Sequence, residues 1–391
     1  MSILDTYLHG VEVIELNTGS QNIKTVATSV IGVVCTADDA DESTFPLNTP
    51  ILITDPLSML EKAGKKGTLK RTLNAIGGIV KTPTIIVRVA DSEEESTLTA
   101  NIVGTQENGQ YTGLKALLTA QSTVFLKPKL LAVPKLDNQA VATELVSIAK
   151  KLNAFAFISD NGAETKEKAV EYARNFNARE AMMIWGNWKS FDTDKAAYDT
   201  DYATARAVAL QAYIDKTQGW HKNLSNVVLD GVTGVTKPVS FDINESSTDA
   251  NFLNEKNITV CLNYEGFRYW GSRTLSSDTR WAFQQATRTA QIVKETLAAA
   301  HLWAMDQPMT VGLVKDILEG INNKFRQWKA DGKILDGRAW VDEKSTGDVL
   351  KSGKLLIKYD YHWVPSLESL GFTQIVNDEY VMDLANAIAK L

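Results

Sequence analysis

The sequence predicts a multidomain protein of mixed α+β and α/β class. It should have a large, mainly parallel α/β unit, a smaller C-terminal unit with two long helices and a β-sheet, and extended strand-like arms at both ends. Apolar runs such as SVIGVVCTA, TIIVRVA, AFAFIS and AMMIW alternate with helix-length segments, which implies a parallel sheet covered on both faces. The last third carries apolar residues spaced at three and four, the mark of amphipathic helices. Short strand-like segments near both termini have no partner nearby in sequence and must find one elsewhere.

Residues 1–25 read as an N-terminal arm. Val11 and Val13 flank Glu12, Ile14 and Leu16 flank Glu15, and a polar stretch follows at once. The α/β unit is expected over 26–262. Its elements are SVIGVVCTA and PILIT as strands, a mostly helical 56–79, TIIVRVA, LLAVP, a helix over 139–152, AFAFIS, a helix over 165–175, and AMMIW. Between 203 and 262 one helix precedes turn-rich sequence with short strands, punctuated by Asp230-Gly231 and Lys237-Pro238.

The C-terminal unit is expected over 263–368. Ala286, Ala290, Val293, Leu297, Ala300 and Ala304 give its first helix a buried stripe. Leu313, Ile317, Ile321, Phe325 and Trp328 do the same for the second, with Thr310 as N-cap after Pro308. A strand over 354–364 sets Ile357, Tyr359, Tyr361 and Trp363 on one face and Lys358, Asp360 and His362 on the other. Residues 369–391 read as a C-terminal arm, with the strand-like FTQIV (Phe372, Ile375) followed by the amphipathic EYVMDLANAIAKL.

Composition narrows the function. Across 391 residues, 44% hydrophobic and 23% charged side chains match an ordinary folded protein. A net charge of -6 argues against a nucleic-acid binder with one dominant basic surface. From Glu265 onward acidic and basic residues balance, so the acidic excess lies before it, as expected if the two parts face different surroundings. Cys35 and Cys261 sit in apolar runs and read as buried, inert thiols suited to a reducing cytoplasm. No export signal and no apolar window long enough to insert in a membrane is read from the sequence.

The motifs of catalysis do not assemble. AGKKGTLKR lacks the GxxxxGK[ST] spacing, no GxGxxG follows a strand, and no GxSxG nucleophile elbow exists. His9, His221, His301 and His362 form no HExxH or Cys-paired set, so no metal or cofactor is expected. Paired acids at Asp38, Asp39, Asp41 and Glu42, and the cluster 91–95, read as solvated loops. A hydrolase or transferase built on the α/β unit remains the rival reading, because that architecture so often hosts enzymes.

The run EGFRYWGSRTLSSDTRWAF, 265–283, is denser in aromatics and arginines than the rest of the chain. It resembles the signature of contractile tail sheath proteins, GFRYWGxRTLSSD, which Gly266, Phe267, Arg268, Trp270, Gly271, Arg273, Thr274 and Asp278 fit. HGVEVIEL, FPLNTPILIT, ENGQYTGLKALL, KPKLLAVP, GWHKNLSN, DGVTGV and HLWAMDQP resemble sheath segments in the same order. The resemblance is to the sheaths of small temperate myophages and, a step further away, to the R-type pyocin sheath.

The resemblance implies a sheath-type inner domain carrying the two long helices, an outer α/β domain, and no enzyme activity. It implies a helical homo-oligomer of stacked hexameric rings around a tail tube protein, in contact with baseplate and tail terminator proteins. The polymer would contract to drive the tube through the host envelope, and would be a virion component assembled in the host cytoplasm. It further implies that both arms join a hairpin of neighbouring subunits, with Val11, Val13 and Leu16 and Phe372 and Ile375 incoming, and Ile357, Tyr359 and Tyr361 on the accepting strand. Edge pairing of this kind satisfies backbone groups that a lone strand leaves open. Lys315, Asn322, Arg326, Lys329 and Lys333 recur on the second helix's polar face, and the four basic residues are expected to face the tube.

Overall fold

The computed structural model describes residues 23–390. An eight-stranded sheet forms its centre. In chain order its first strands are β1 (Ile31–Thr36), β2 (Ile51–Ile53), β3 (Thr84–Val89), β4 (Leu130–Ala132), β5 (Phe155–Ser159) and β6 (Ala181–Trp185). A separate antiparallel sheet of β7 (Trp188–Asp192), β8 (Ala197–Asp201) and β9 (Gly234–Val235) intervenes before β10 (Ile258–Asn263) and β11 (Phe267–Trp270) complete the large one.

The spatial order is β11-β10-β6-β5-β4-β1-β3-β2. All internal pairs are parallel, and only the edges β2 and β11 run antiparallel. Burial on both faces explains why β1 and β6, and β3 apart from Thr84 and the buried Arg88, read as apolar runs rather than alternating ones. One face is covered by α2 (Glu95–Val103), α3 (Gln139–Leu152), α4 (Lys166–Ala173) and α6 (Asp249–Glu255). The other lies under α1 (Leu69–Gly77) and the alanine-rich α5 (Ala203–Thr217). Cys35 and Cys261 are both free and buried on that second side, and burial pushes the Cys35 thiol up to about 12.

The C-terminal unit packs α7 (Gln284–Ala300) and α8 (Val311–Ala330) with an antiparallel hairpin of β12 (Ile334–Val341) and β13 (Ile357–Trp363). Ile292, Val293, Leu297, Ile317, Ile321, Phe325 and Trp328 form its core. Thr310 caps α8, its hydroxyl accepting the Leu313 N–H at 3.2 Å, as expected.

Several boundaries differ from expectation. The division at 263 would cut the β10–β11 hairpin, because Phe267–Trp270 is the edge strand of the large sheet. Tyr269 holds it there: the buried hydroxyl accepts from Trp188 Nε1 (2.8 Å) and donates to the Ala203 carbonyl (2.6 Å). Residues 23–25 belong to the C-terminal core rather than to an arm, since Ile23 is buried and Thr25 Oγ1 accepts from Trp328 Nε1. Ala304 lies beyond α7 in a 3-10 turn. The 56–79 segment is a 3-10 turn and α1 separated by a loop, in which Gly67 (φ +76°) rests on the Thr36 carbonyl where a Cβ would clash at 2.3 Å. FTQIV is not a strand, and Phe372 and Ile375 are exposed. A lone segment has no ladder to join. Val11, Val13 and Leu16 lie outside the described residues.

Candidate inter-subunit interface

β12 and β13 pair only with each other among the described residues, with Ala339 opposite Tyr359 and Gly337 opposite Tyr361. Each strand therefore keeps one edge with no strand beside it, and on β12 the Asn322 side chain and Asp336 meet part of that edge at Ala339 and Gly337. The hairpin is nevertheless rigidly seated. Ile357 and Tyr361 pack on the C-terminal core, Tyr359 lies 6.0 Å from the Phe325 ring, and Trp363 lies 5.7 Å from Phe283. The alternation that set these four side chains on one face thus corresponds to real packing. A two-stranded ribbon with no strand on either edge is marginal in water and a ready template for further strands.

The chain beyond the hairpin is pinned and then released. Ser366 Oγ accepts from Asn223 Nδ2 (2.8 Å) and Gln285 Nε2 (2.6 Å). The Glu368 carboxylate accepts two bonds from Arg273, at 2.8 and 2.6 Å. After this root the apolar side chains of α10 (Glu379–Ile388, where α9 is Gly347–Lys351) lie open to solvent, as do Phe372 and Ile375. The N-terminal root is held comparably: Thr296 Oγ1 accepts the Val26 N–H, and Arg288 donates to the Thr28 carbonyl, both at 3.3 Å. Sequence reasoning missed Asn223, Gln285, Ser366 and Glu368. Their traces were Arg273 in the signature and the segment GWHKNLSN, which contains Asn223.

That signature forms a corner joining the large sheet to α7. Phe267 packs edge-on to Trp188, and Trp270 packs on Phe241. Arg268 bonds Asn226 Oδ1 and the Glu265 carbonyl, both at 2.7 Å. Gly271 (φ +129°) approaches Thr259 too closely for a side chain, since a Cβ would sit 3.0 Å from that residue's Cα. Asp278 opens a 3-10 turn by accepting the Arg280 N–H.

Behind the corner, polar residues of α7 are buried against the α/β unit. Arg288 meets Asp215 through two bonds of 2.6 and 2.5 Å, and both side chains are almost wholly buried. Gln284 reaches Gln211, Gln291 reaches the Ala154 carbonyl, and Glu295 pairs with Lys129, whose ammonium is pushed down to about 8 chiefly by burial. These contacts make one body of the two units.

On α8 the expected basic face divides. Asn322 turns inward, exchanging two hydrogen bonds with the Ala339 backbone. Lys329 pairs with Asp336 (2.5 Å), and Lys333, past the helix end, pairs with Asp331 and stacks on Trp220. Lys315 and Arg326 instead border an apolar groove walled by Val314 and Leu318 on one side and Leu350 and Leu355 on the other. Among the described residues no group of three or more His, Cys, Asp or Glu is placed to hold a metal, and no helix is long and apolar enough to cross a membrane.

Three family profiles cover most of the chain: the tail sheath protein Gp18 domain III N-terminal region (28–89), the phage tail sheath protein central domain (109–275) and the phage tail sheath C-terminal domain (276–377). The chain is 48% identical to the tail sheath protein of Escherichia phage P2, over 98% of this chain and 99% of that one. It is 41% identical to the major tail sheath protein of Serratia phage KSP20, over 96% and 97%.

The chain belongs to the phage tail sheath protein family.

It is thus a structural subunit of a contractile tail sheath. The fold is similar to that of the anti-feeding prophage helical sheath in its contracted state, which superposes with a TM-score of 0.70 at 18% identity, covering 95% of this chain and all of that one. The two larger sheath profiles meet between Leu275 and Ser276, beyond β11, where the chain leaves the large sheet.

Proposed function

We propose that the subunit polymerises into a helical stack of hexameric rings around a tail tube and contracts to drive that tube through the host cell envelope. The observation that carries this reading is the firmly seated hairpin with no strand on either edge among the described residues, in a chain whose C-terminal arm departs from a pinned root. The segment containing Val11, Val13 and Leu16 from one neighbour, and Phe372 to Val376 from another, pair with those edges. β13, through Ile357, Tyr359 and Tyr361, accepts the C-terminal strand. Each added strand makes several backbone hydrogen bonds, worth net about 0.5–1.5 kcal/mol apiece, and repeated over a lattice they hold it together while subunits turn.

The α/β unit faces outward as bulk and the C-terminal unit faces the tube. Because buried ion pairs weld the two units, contraction moves each subunit as a rigid body about its arms. The extended lattice is kinetically held and the contracted one lies lower in free energy, so no cofactor is needed. Tube contact falls to the Lys329–Lys333 end of α8, where exposed pairs worth about 0–1 kcal/mol each exchange easily during sliding. Baseplate and tail terminator proteins cap the stack, and the assembly, made in the host cytoplasm, is carried in the virion. Chains of similar fold in the solved structures of the anti-feeding prophage baseplate and of its contracted helical sheath support this reading. A hydrolase or transferase draws no support from relatives named as sheath proteins. Electron microscopy of the purified subunit tests the proposal: tubes are expected, and a persistently monomeric protein at high concentration would sink it.

A further inference from the structure

The α8 groove and the helix α10 are two apolar surfaces left partly or wholly open among the described residues. Half-buried Val314 and Leu318 on α8 and half-buried Leu355, with Leu318 and Leu355 touching the core from its margin, line the groove together with exposed Leu350. On α10, Tyr380, Val381, Leu384 and Ile388 recur at three and four and are each 60% exposed or more. A lone ten-residue helix is too short to persist in water without packing that stripe.

We infer that α10 of one subunit seats in the α8 groove of the neighbour whose hairpin takes up its C-terminal strand. The inference rests on the arm reading above and extends it. Three observations match the two surfaces. Chain direction is the first: a strand entering antiparallel to β13 delivers its C-terminal end beside Ile357 and Val341, and Val341 and Leu355 line the groove at that end of the hairpin. Only Asn377 and Asp378 then separate Val376 from the first turn of α10. Length is the second, since α10 spans about 15 Å, while the wall of α8 from Val311 to Arg326 offers about 22 Å. Charge is the third. The incoming segment carries Asp378, Glu379 and Asp383 against Lys390, whereas Lys315, Arg326 and Lys351 border the groove against Glu319.

Each subunit is thereby gripped twice by one neighbour, by a strand on the hairpin edge and by a helix beside it. The helix acts as a latch that keeps the strand from peeling, because the short strand and the helix are released only together.

Two full-length single-cysteine variants, Leu350→Cys and Leu384→Cys, are mixed, assembled and oxidised. Both positions are exposed, so folding is preserved, and the native cysteines are buried out of reach. A disulfide-linked dimer on a non-reducing gel is expected from the mixture, and much less from either variant alone. In parallel, chains ending after Val376 and after Glu368 are compared with the full chain. The longer truncation product should form tubes that fall apart at a lower urea concentration, and the shorter one should form none. Absent cross-linking together with unaltered tubes from the chain ending after Val376 overturns the latch but leaves the arm reading intact. Normal tubes from the chain ending after Glu368 overturn both. If a chain carrying both cysteines closes its disulfide within one monomer, or if Leu350→Cys links to added tube protein instead, the groove has another occupant and the inference falls.

Discussion

Replacing Arg288 with Met should destabilise the subunit far more than its size suggests. Arg288 makes two short bonds to Asp215, and neither side chain is more than 2% exposed. Removing it leaves the Asp215 carboxylate in the interior with one remaining side-chain donor, Gln211 Nε2 at 2.9 Å. Breaking one side of such a pair costs about 3–5 kcal/mol, a large share of the roughly 5–15 kcal/mol that holds a typical domain. The loss also frees the Thr28 carbonyl at the root of the N-terminal arm. Urea unfolding followed by tryptophan fluorescence should show a clearly lowered midpoint for Arg288→Met. Most of that loss should return in the Arg288→Met, Asp215→Leu double variant, where no charge is left stranded. A single variant as stable as the parent, or a double variant whose losses simply add, would refute the assignment of this pair as the weld between the two units.

Arg273→Ala should separate assembly from stability. Its pair with Glu368 is more than a third exposed on both sides, so unfolding should shift by no more than about 1 kcal/mol, while sedimentation should show fewer and shorter polymers because the arm root is loosened. Unchanged polymerisation would remove the root from the account. Asp137 bears on pH. Burial pushes its carboxyl up to about 7, so the folded chain keeps a proton that the unfolded chain releases near pH 4. The stability tied to that proton is full below about pH 4 and declines as pH rises toward 7. Asp137→Asn, which can still accept the Ser159 N–H, should therefore raise the melting temperature by an amount that grows between pH 4 and 8, and a pH-independent difference would contradict the cause given.

What the sequence made legible depended on where each segment found its partners. The parallel sheet was plain because its strands are buried on both faces, and α3 and the Thr310 cap were readable because their determinants are local. The sheet that β7 opens was not foreseen, since its residues alternate with polar ones and its third strand comes more than thirty residues later. The side of α7 that meets the α/β unit was illegible for the opposite reason. Gln284, Arg288 and Gln291 look solvent-bound until Gln211, Asp215 and Ala154 are brought to them from more than seventy residues away. At the interface, the hairpin's inward face could be read from alternation. The four residues pinning the C-terminal root could not, because Ser366, Glu368, Asn223 and Gln285 carry no periodicity. FTQIV is strand-like in composition yet has no strand beside it among the described residues. A sequence that expects a neighbour leaves such a segment bare.

A cryo-EM reconstruction of the assembled polymer tests that expectation most directly. Every hairpin should appear as the middle of a four-stranded sheet, with a strand from residues 11–16 of one neighbour on one edge and Phe372 to Val376 of another against β13. Hairpins with bare edges, and arms folded back on their own subunits, would contradict the account.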